Sequence, residues 1–349
     1  MRIPYRTRRR LQRIGTALLV LLVAFVIAWI CWVIWIQRHV VYTNDGAKLD
    51  FSNSSYEMEG EVAQDQEFEA KVSIFYNEGA NAIDTRNELS QINGYYVTND
   101  MINADYNNVL LKLERLPAGT AVMVEMKGPY GSFFYSSKLA DATISASTNI
   151  TEMDALITKL KNKGFYTIAK ISAFRDREFG NKTVTPGLYM LNRAGLWMDE
   201  GGMYWLDPTN ATTTSWISSV VLELRDLGFD EVLLDNFRFP DSNQYIFNGD
   251  KDAALAQAAA TLVSSTASEN FTLSFCTPNV SFPLPDGRTR LYLENVSAAG
   301  IQNTVNQTAF EEKEIRLVFL SDIGDTRCDE YSILRSIEVA EEVEALKAG

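Results

Sequence analysis

Hydrophobic and polar positions follow three successive rhythms along the chain. Gly15 to Ile36 (GTALLVLLVAFVIAWICWVIWI) is 22 residues long and carries no charge. A helix of that length spans about 33 Å, enough for the roughly 30 Å hydrocarbon core of a bilayer. Residues 37 to 91 are polar and acidic. There Val40 to Phe51 reads as a short hairpin around Asn44-Asp45-Gly46, and Glu67 to Tyr76 alternates as a half-buried strand. From residue 92 onward, short apolar strands alternate with helical stripes.

That third rhythm is the most regular. Strands are predicted at Gly94–Thr98, Ala121–Gly128, Phe165–Phe174, within GFDEVLLDNF, and at FTLSFCTP, RLYLENV and IRLVFLS. Helices are predicted at Met101–Leu116, from Thr151 (a capping box with Asp154), around Trp216–Leu227, at Asp252–Ser268, at Ala298–Phe310 and at Ser332–Lys347. Two junctions match, KNKGFYTIAK and RDLGFDEVLL: each is helix, glycine, phenylalanine, strand. Alternation over about 250 residues means a parallel sheet closed as a TIM-type (β/α)8 barrel, with seven of its eight strands identified. A doubly wound sheet is the runner-up, but no glycine-rich nucleotide loop follows the first strand. Asn248 to Asp252 reads as a turn and helix start.

Charge sharpens the first boundary. Residues 1–38 hold seven arginines and no acid, six of the arginines before the apolar span and one just after it. This asymmetry keeps the N-terminus in the cytoplasm and the rest outside, with Trp29, Trp32 and Trp35 toward the outer interface. The span exceeds a cleaved signal's apolar core, and no small-x-small site follows it. The expected organisation is a basic cytoplasmic segment at 1–14, a transmembrane signal anchor at 15–36, an extracytoplasmic stalk with a short β element at 37–91, and the barrel at 92–349. The whole chain has a net charge of −13, and beyond Arg38 there are 25 bases against 45 acids, a net charge of −20. That balance argues against nucleic acid as a partner.

His39 is the only histidine. A His-based triad in the barrel and a multi-histidine metal site are therefore excluded. Cys31 lies in the span, and Cys276 and Cys328 read as free thiols. Acid–base chemistry in the barrel must run on carboxylates. Function in such barrels collects at the carboxyl ends of the strands. In EVLLDNFRFP, Glu231, Leu233 and Asp235 share a face and Asp235 falls at the strand's end; the bland reading pairs Asp235 with Arg238. Glu125 and Lys127 share parity near the end of their strand, and Lys170 and Ser172 share a face on the next, so an inward network beside Asp235 is expected. The loop of nearly forty residues after FYTIAKISAF carries Asp176, Trp197, Asp199, Trp205 and Asp207. Tryptophans beside carboxylates are common in sugar sites, where a ring stacks on a sugar face.

ITEMDALITKLKNKGFYTIAKISAFRD, LWMDEGGMYWLDP and LRDLGFDEVLLDNFRFP together resemble a bacterial family of glycoside-hydrolase-like barrels related to the α-amylase-type enzymes. The resemblance covers roughly residues 92–325, and Gly228 to Pro240 is its most specific element. It marks Lys127, Asp176, Asp207, Asp230, Glu231, Asp235, Arg238 and Pro240. The sequence departs from the family at Gly128, where an aspartate is usual, and at Cys276-Thr277, where an acid is usual. The resemblance implies a membrane-anchored glycoside hydrolase acting on an extracytoplasmic polysaccharide or cell-wall glycan, with no cofactor and no metal. Asp235 is the expected nucleophile or base. The acid is sought among Glu125, Glu294, Asp322 and Asp176, in that order. Lys127, Asp176, Trp205, Asp207, Arg238 and Tyr95 are the expected substrate-binding side chains. The alternative is an inactive barrel that binds glycan or a cell-envelope partner.

Overall fold

The computed structural model describes Trp29 and residues 40–43, 46–49, 89–294, 296–297, 300–308, 310–321 and 330–343. The chain divides into two compact units, residues 1–78 and 79–349. In the first, Val40–Thr43 pairs antiparallel with Gly46–Leu49, Thr43 opposite Gly46, as the Asn-Asp-Gly turn predicts. Apart from Trp29, the expected anchor at 15–36 lies outside the described residues, as do the Glu67–Tyr76 strand, Asp322, Cys31 and Cys328. Among the described residues no helix is long and apolar enough to cross a membrane.

The second unit is a closed barrel of eight parallel strands: β1 (Asn93–Val97), β2 (Ala121–Lys127), β3 (Tyr166–Ser172), β4 (Glu231–Asp235), β5 (Thr272–Cys276), β6 (Thr289–Leu293), β7 (Leu317–Ser321) and β8 (Ser332–Ser336). Closure is made by β1, which pairs with β8 through Tyr95 and Arg335 and with β2 through Tyr95 and Val122. Alternate residues divide between two environments. Met123, Ile168, Leu233, Val318 and Leu334 fill the barrel. Val122, Val124, Ala169, Ile171, Val232, Leu234, Phe275 and Phe319 pack in the larger core that includes the helices. Four long helices, α1 (Asn99–Arg115), α2 (Ile150–Lys163), α3 (Ala211–Asp226) and α4 (Lys251–Thr266), follow β1, β2, β3 and β4. Side chains of Thr98, Asn149, Asn210 and Asp250 cap their first N–H groups.

Three expectations about elements change. The stretch from Ser332 begins as the eighth strand, and the helix predicted over Ser332–Lys347 is present among the described residues only at 340–343. Ile333, Leu334 and Ile337 mimic a helical stripe, but closure requires a strand here, and Ser336 then caps a short 3-10 turn at Ile337–Val339. The cap of α2 is Asn149, which accepts from Glu152 N–H at 3.4 Å, two residues before Thr151. Of the helix predicted near 298–310, the described α-helical part is Ile301–Gln307. The matched glycines Gly164 and Gly228 both take positive φ, 71° and 90°, which turns each chain from a helix end into the next strand.

The amino end of the barrel is closed by a buried polar cluster. Glu231 accepts from Tyr166 Oη at 2.8 Å, Tyr292 Oη at 2.7 Å, Ser274 Oγ at 2.6 Å and the Arg290 guanidinium. Arg290 also donates to Ser90 O at 2.7 Å and Ile315 O at 3.2 Å. Both charges are almost wholly buried. A charge pair this deep persists only when its remaining hydrogen bonds are also filled. Burial and the neighbouring Glu231 carboxylate hold the Tyr166 and Tyr292 hydroxyls well above the usual phenol range.

Candidate active site

At the opposite, carboxyl end, inward residues of β2, β3 and β4 and the residue after β6 converge. Lys170 is the fifth residue of β3 and lies beside Glu125 in register. Its Nζ is 3.3 Å from Asp235 Oδ2 and 3.1 Å from Glu294 Oε1. Burial pushes the ammonium's proton affinity down, but Asp235 and Glu294 together raise it above the ordinary lysine value. Asp235, Glu294 and the Cys276 thiol place their donor atoms within 4.8 Å of one another. The buried thiol is held in its protonated form by burial first, and then by Asp235 and Glu294. Lys170 supplies the cation between the two carboxylates.

Asp235 is fixed from both sides. Its Oδ1 accepts from the N–H of Asn236 at 2.7 Å, while Oδ2 faces Lys170. Asn236 itself lies at φ 52°, a left-handed conformation asparagine tolerates better than most residues. The Asn236 side chain donates to Ser172 Oγ at 3.3 Å, which ties the turn to β3.

Glu125 accepts from the N–H of Asn99, the first residue of α1, at 3.1 Å. Burial raises its proton affinity above the usual carboxylate range. The Asn99 bond and Lys170 oppose that shift, while Asp235 and Asp100 add to it. Glu125, Lys170 and Glu294 line a cleft of about 530 Å³ with Tyr96, Thr98 and Ser321, and Asp235 lies 3.3 Å from Lys170. A carboxyl inclined to keep its proton, near a carboxylate held by an ammonium, is an arrangement suited to acid–base chemistry.

The structure thus brings Asp235, Glu125 and Glu294 together. It places the other expected site residues elsewhere. Tyr95 is buried and faces the helix side, and its neighbour Tyr96 lines the cleft. Lys127 forms a fully buried ion pair with Asp176 at 2.8 Å and donates to Ser172 O at 2.8 Å. A register shift between Glu125 and Lys127 breaks their common parity. Asp176 also caps the Arg177–Lys182 helix through Phe179 N–H at 2.9 Å and accepts from Trp216 Nε1 at 3.3 Å. Both are structural groups, as is Trp205, buried with its Nε1 on Asp199 at 2.9 Å. Arg238 stacks on the Trp205 ring at 5.2 Å and pairs with Asp241 at 3.2 Å, so the Asp235–Arg238 pair is not formed. Asp207 lines a second cleft on the β3 loop. Asp230 accepts from Thr167 N–H at 2.7 Å at the amino end of the barrel. The sequence does not reveal Tyr96, Thr98 and Ser321, which carry no motif, nor Tyr166, Ser274, Arg290 and Tyr292, the partners of Glu231.

Residues 94–272 match the model of a family described as "Putative glycosyl hydrolase domain". No curated protein matches the sequence. Among solved structures, the chain is similar to a hypothetical protein from Ruminiclostridium thermocellum ATCC 27405, with 21% identity over 52% of this chain and 96% of that one and a TM-score of 0.45. It is similar to Ega3 from Aspergillus fumigatus, solved with galactosamine, at 11% identity over 72% and 94% with a TM-score of 0.44. It is also similar to the glycoside hydrolase domain of PelA from Pseudomonas aeruginosa, at 15% identity over 71% and 95% with a TM-score of 0.42.

Proposed function

The chain belongs to this family, described as a "Putative glycosyl hydrolase domain", and from that premise we propose that its barrel hydrolyses glycans, with Asp235 and Glu125 as the two carboxylates of the reaction. The observation that carries the proposal is Lys170, held between Asp235 and Glu294 at the carboxyl end of the barrel. Its ammonium, 3.3 Å from Asp235 Oδ2, orients that carboxyl group toward the barrel mouth as nucleophile or base. Glu125, inclined by burial to keep its proton, donates that proton to the leaving glycosidic oxygen. Glu294 is the most exposed of the three and accepts substrate hydroxyls at the cleft wall while orienting Lys170. The chemistry uses no histidine and calls for no cofactor.

The 22-residue apolar span and its arginine flanks support an anchor that holds the barrel outside the cytoplasm, against a polysaccharide or cell-wall glycan. Carbonate extraction of membranes and protease accessibility on intact cells test this placement. Release by carbonate, or protection of the barrel, would overturn it.

For the chemistry, a panel of cell-wall glycans and polysaccharides is incubated with wild type, Asp235→Asn and Glu125→Gln. Products from wild type and a loss of at least 10²-fold in each variant are expected. Unchanged rates in Asp235→Asn remove that residue from the mechanism. A second reading, glycan binding without turnover, draws on Cys276 and Gly128, which replace acids usual in the resembling family. Calorimetric binding with no product supports it.

A further inference from the structure

The loops after β3 and β4 enclose a second cleft, of about 420 Å³, on the carboxyl face of the barrel. Tyr189–Met190 pairs antiparallel with Tyr245–Ile246, Tyr189 opposite Ile246, and this ties the two loops together. A loop as long as the one after β3 in a compact domain commonly has a binding role. Two aromatic rings line the cleft, Tyr189 and Phe247, both half-buried. Phe247 is braced by the Phe239 ring at 4.5 Å.

Two charged residues complete it. Arg193 N–H closes a turn on Met190 O at 2.8 Å, with Arg193 itself at φ 57°. A non-glycine residue in that region carries a conformational cost, which tends to persist where the placement of its side chain matters. Arg193 is exposed, and among the described residues its guanidinium makes no ion pair. Asp207 uses Oδ1 on the Thr209 N–H and hydroxyl, at 2.8 and 2.7 Å, so Oδ2 is the oxygen left for a ligand. Flat aromatic faces beside one guanidinium and one carboxylate suit a sugar ring, stacked on its apolar face and bonded through its hydroxyls. The two charges cancel, which favours an uncharged sugar over an acidic one.

We propose that this second cleft holds a neutral sugar unit of the same glycan, away from the bond that is cleaved. The inference rests on the glycan-hydrolase reading and deepens it: the substrate is a chain, bound at two places on one face.

The test compares two-unit and eight-unit members of chito-, gluco- and galacto-oligosaccharide series. Binding is measured by calorimetry on the full chain in detergent micelles, carrying Asp235→Asn to prevent turnover. In at least one series the eight-unit member binds about tenfold more tightly than the two-unit member, and adding Arg193→Ala removes that advantage. The proposal is overturned if no series shows a length advantage, or if the advantage is unchanged by Arg193→Ala. Hydrolysis of the same series by the wild type separates this inference from the reading beneath it. Turnover without a length advantage sinks the second cleft alone. A length advantage abolished by Arg193→Ala, without turnover, keeps the cleft and sinks hydrolysis.

Discussion

The Lys170 ammonium stands 3.3 Å from the carboxylate of Asp235, on the neighbouring strand of the barrel. Lys170 also lowers the proton affinity of Glu125 against the larger effect of burial. Replacing it with methionine removes that opposition, so Glu125 holds its proton to higher pH. If Glu125 is the acid, the alkaline limb of the kcat/KM profile marks its deprotonation. In Lys170→Met that limb moves to higher pH, while the maximum rate falls by about 10²-fold through loss of the charge beside Asp235. A limb that stays in place separates Glu125 from the acid role.

Glu125 also links stability to pH. Its folded-state affinity is raised above the unfolded value, so its contribution is fully present below the unfolded pKa and is lost as pH rises through the folded pKa. Glu125→Gln escapes that loss. The variant is expected to melt at a higher temperature than wild type at pH 8, with the difference shrinking toward pH 4. Equal melting temperatures at pH 8 count against a raised Glu125.

At the other end of the barrel, Arg290→Met leaves Glu231 buried with no counter-charge. The expected cost in urea denaturation is about 3–5 kcal/mol, the usual penalty for removing one partner of a buried pair. Adding Glu231→Gln to that variant removes the stranded charge and recovers part of the loss. Independent, additive losses from the two substitutions would show that the pair does not act as a unit.

Alternation along the chain revealed most of the barrel because each strand faces two apolar environments, and the helices between them have clear caps and stripes. It failed where local pattern was ambiguous. Ser332–Ser336 has the spacing of a helix and becomes a strand only because the barrel must close between β7 and β1. The candidate site depended on side-chain parity, which a one-residue slip reverses. Tyr95 and Tyr96 are adjacent tyrosines, and sequence could not say which faces inward. Glu125 and Lys127 have the same parity in sequence, yet the register shift between them leaves one at the cleft and buries the other against Asp176. Asp235 was legible because a charge ends a strand of Val and Leu. Its partner Lys170 was visible only as a polar residue on an inward face. The tyrosine pair supplies its own check. Tyr95→Ala destabilises the fold by about 3–5 kcal/mol, whereas Tyr96→Ala acts mainly on KM.

Asn236 offers the most local test of how Asp235 is held. Its N–H reaches Asp235 Oδ1 at 2.7 Å, its side chain reaches Ser172, and its φ of 52° turns the chain that follows β4. Asn236→Gly keeps the left-handed conformation open and loses only the side-chain bond, so stability changes little and kcat falls by less than about tenfold. Asn236→Val puts a β-branched residue at positive φ, at a cost of about 1–3 kcal/mol if the backbone stays in place. If the backbone relaxes instead, the turn after β4 reorganises, Asp235 at the strand's end is displaced with it, and activity falls. Either way the valine variant is the worse of the two, in melting temperature or in kcat. Equal behaviour of glycine and valine would show that the left-handed turn at Asn236 does not hold Asp235 in place.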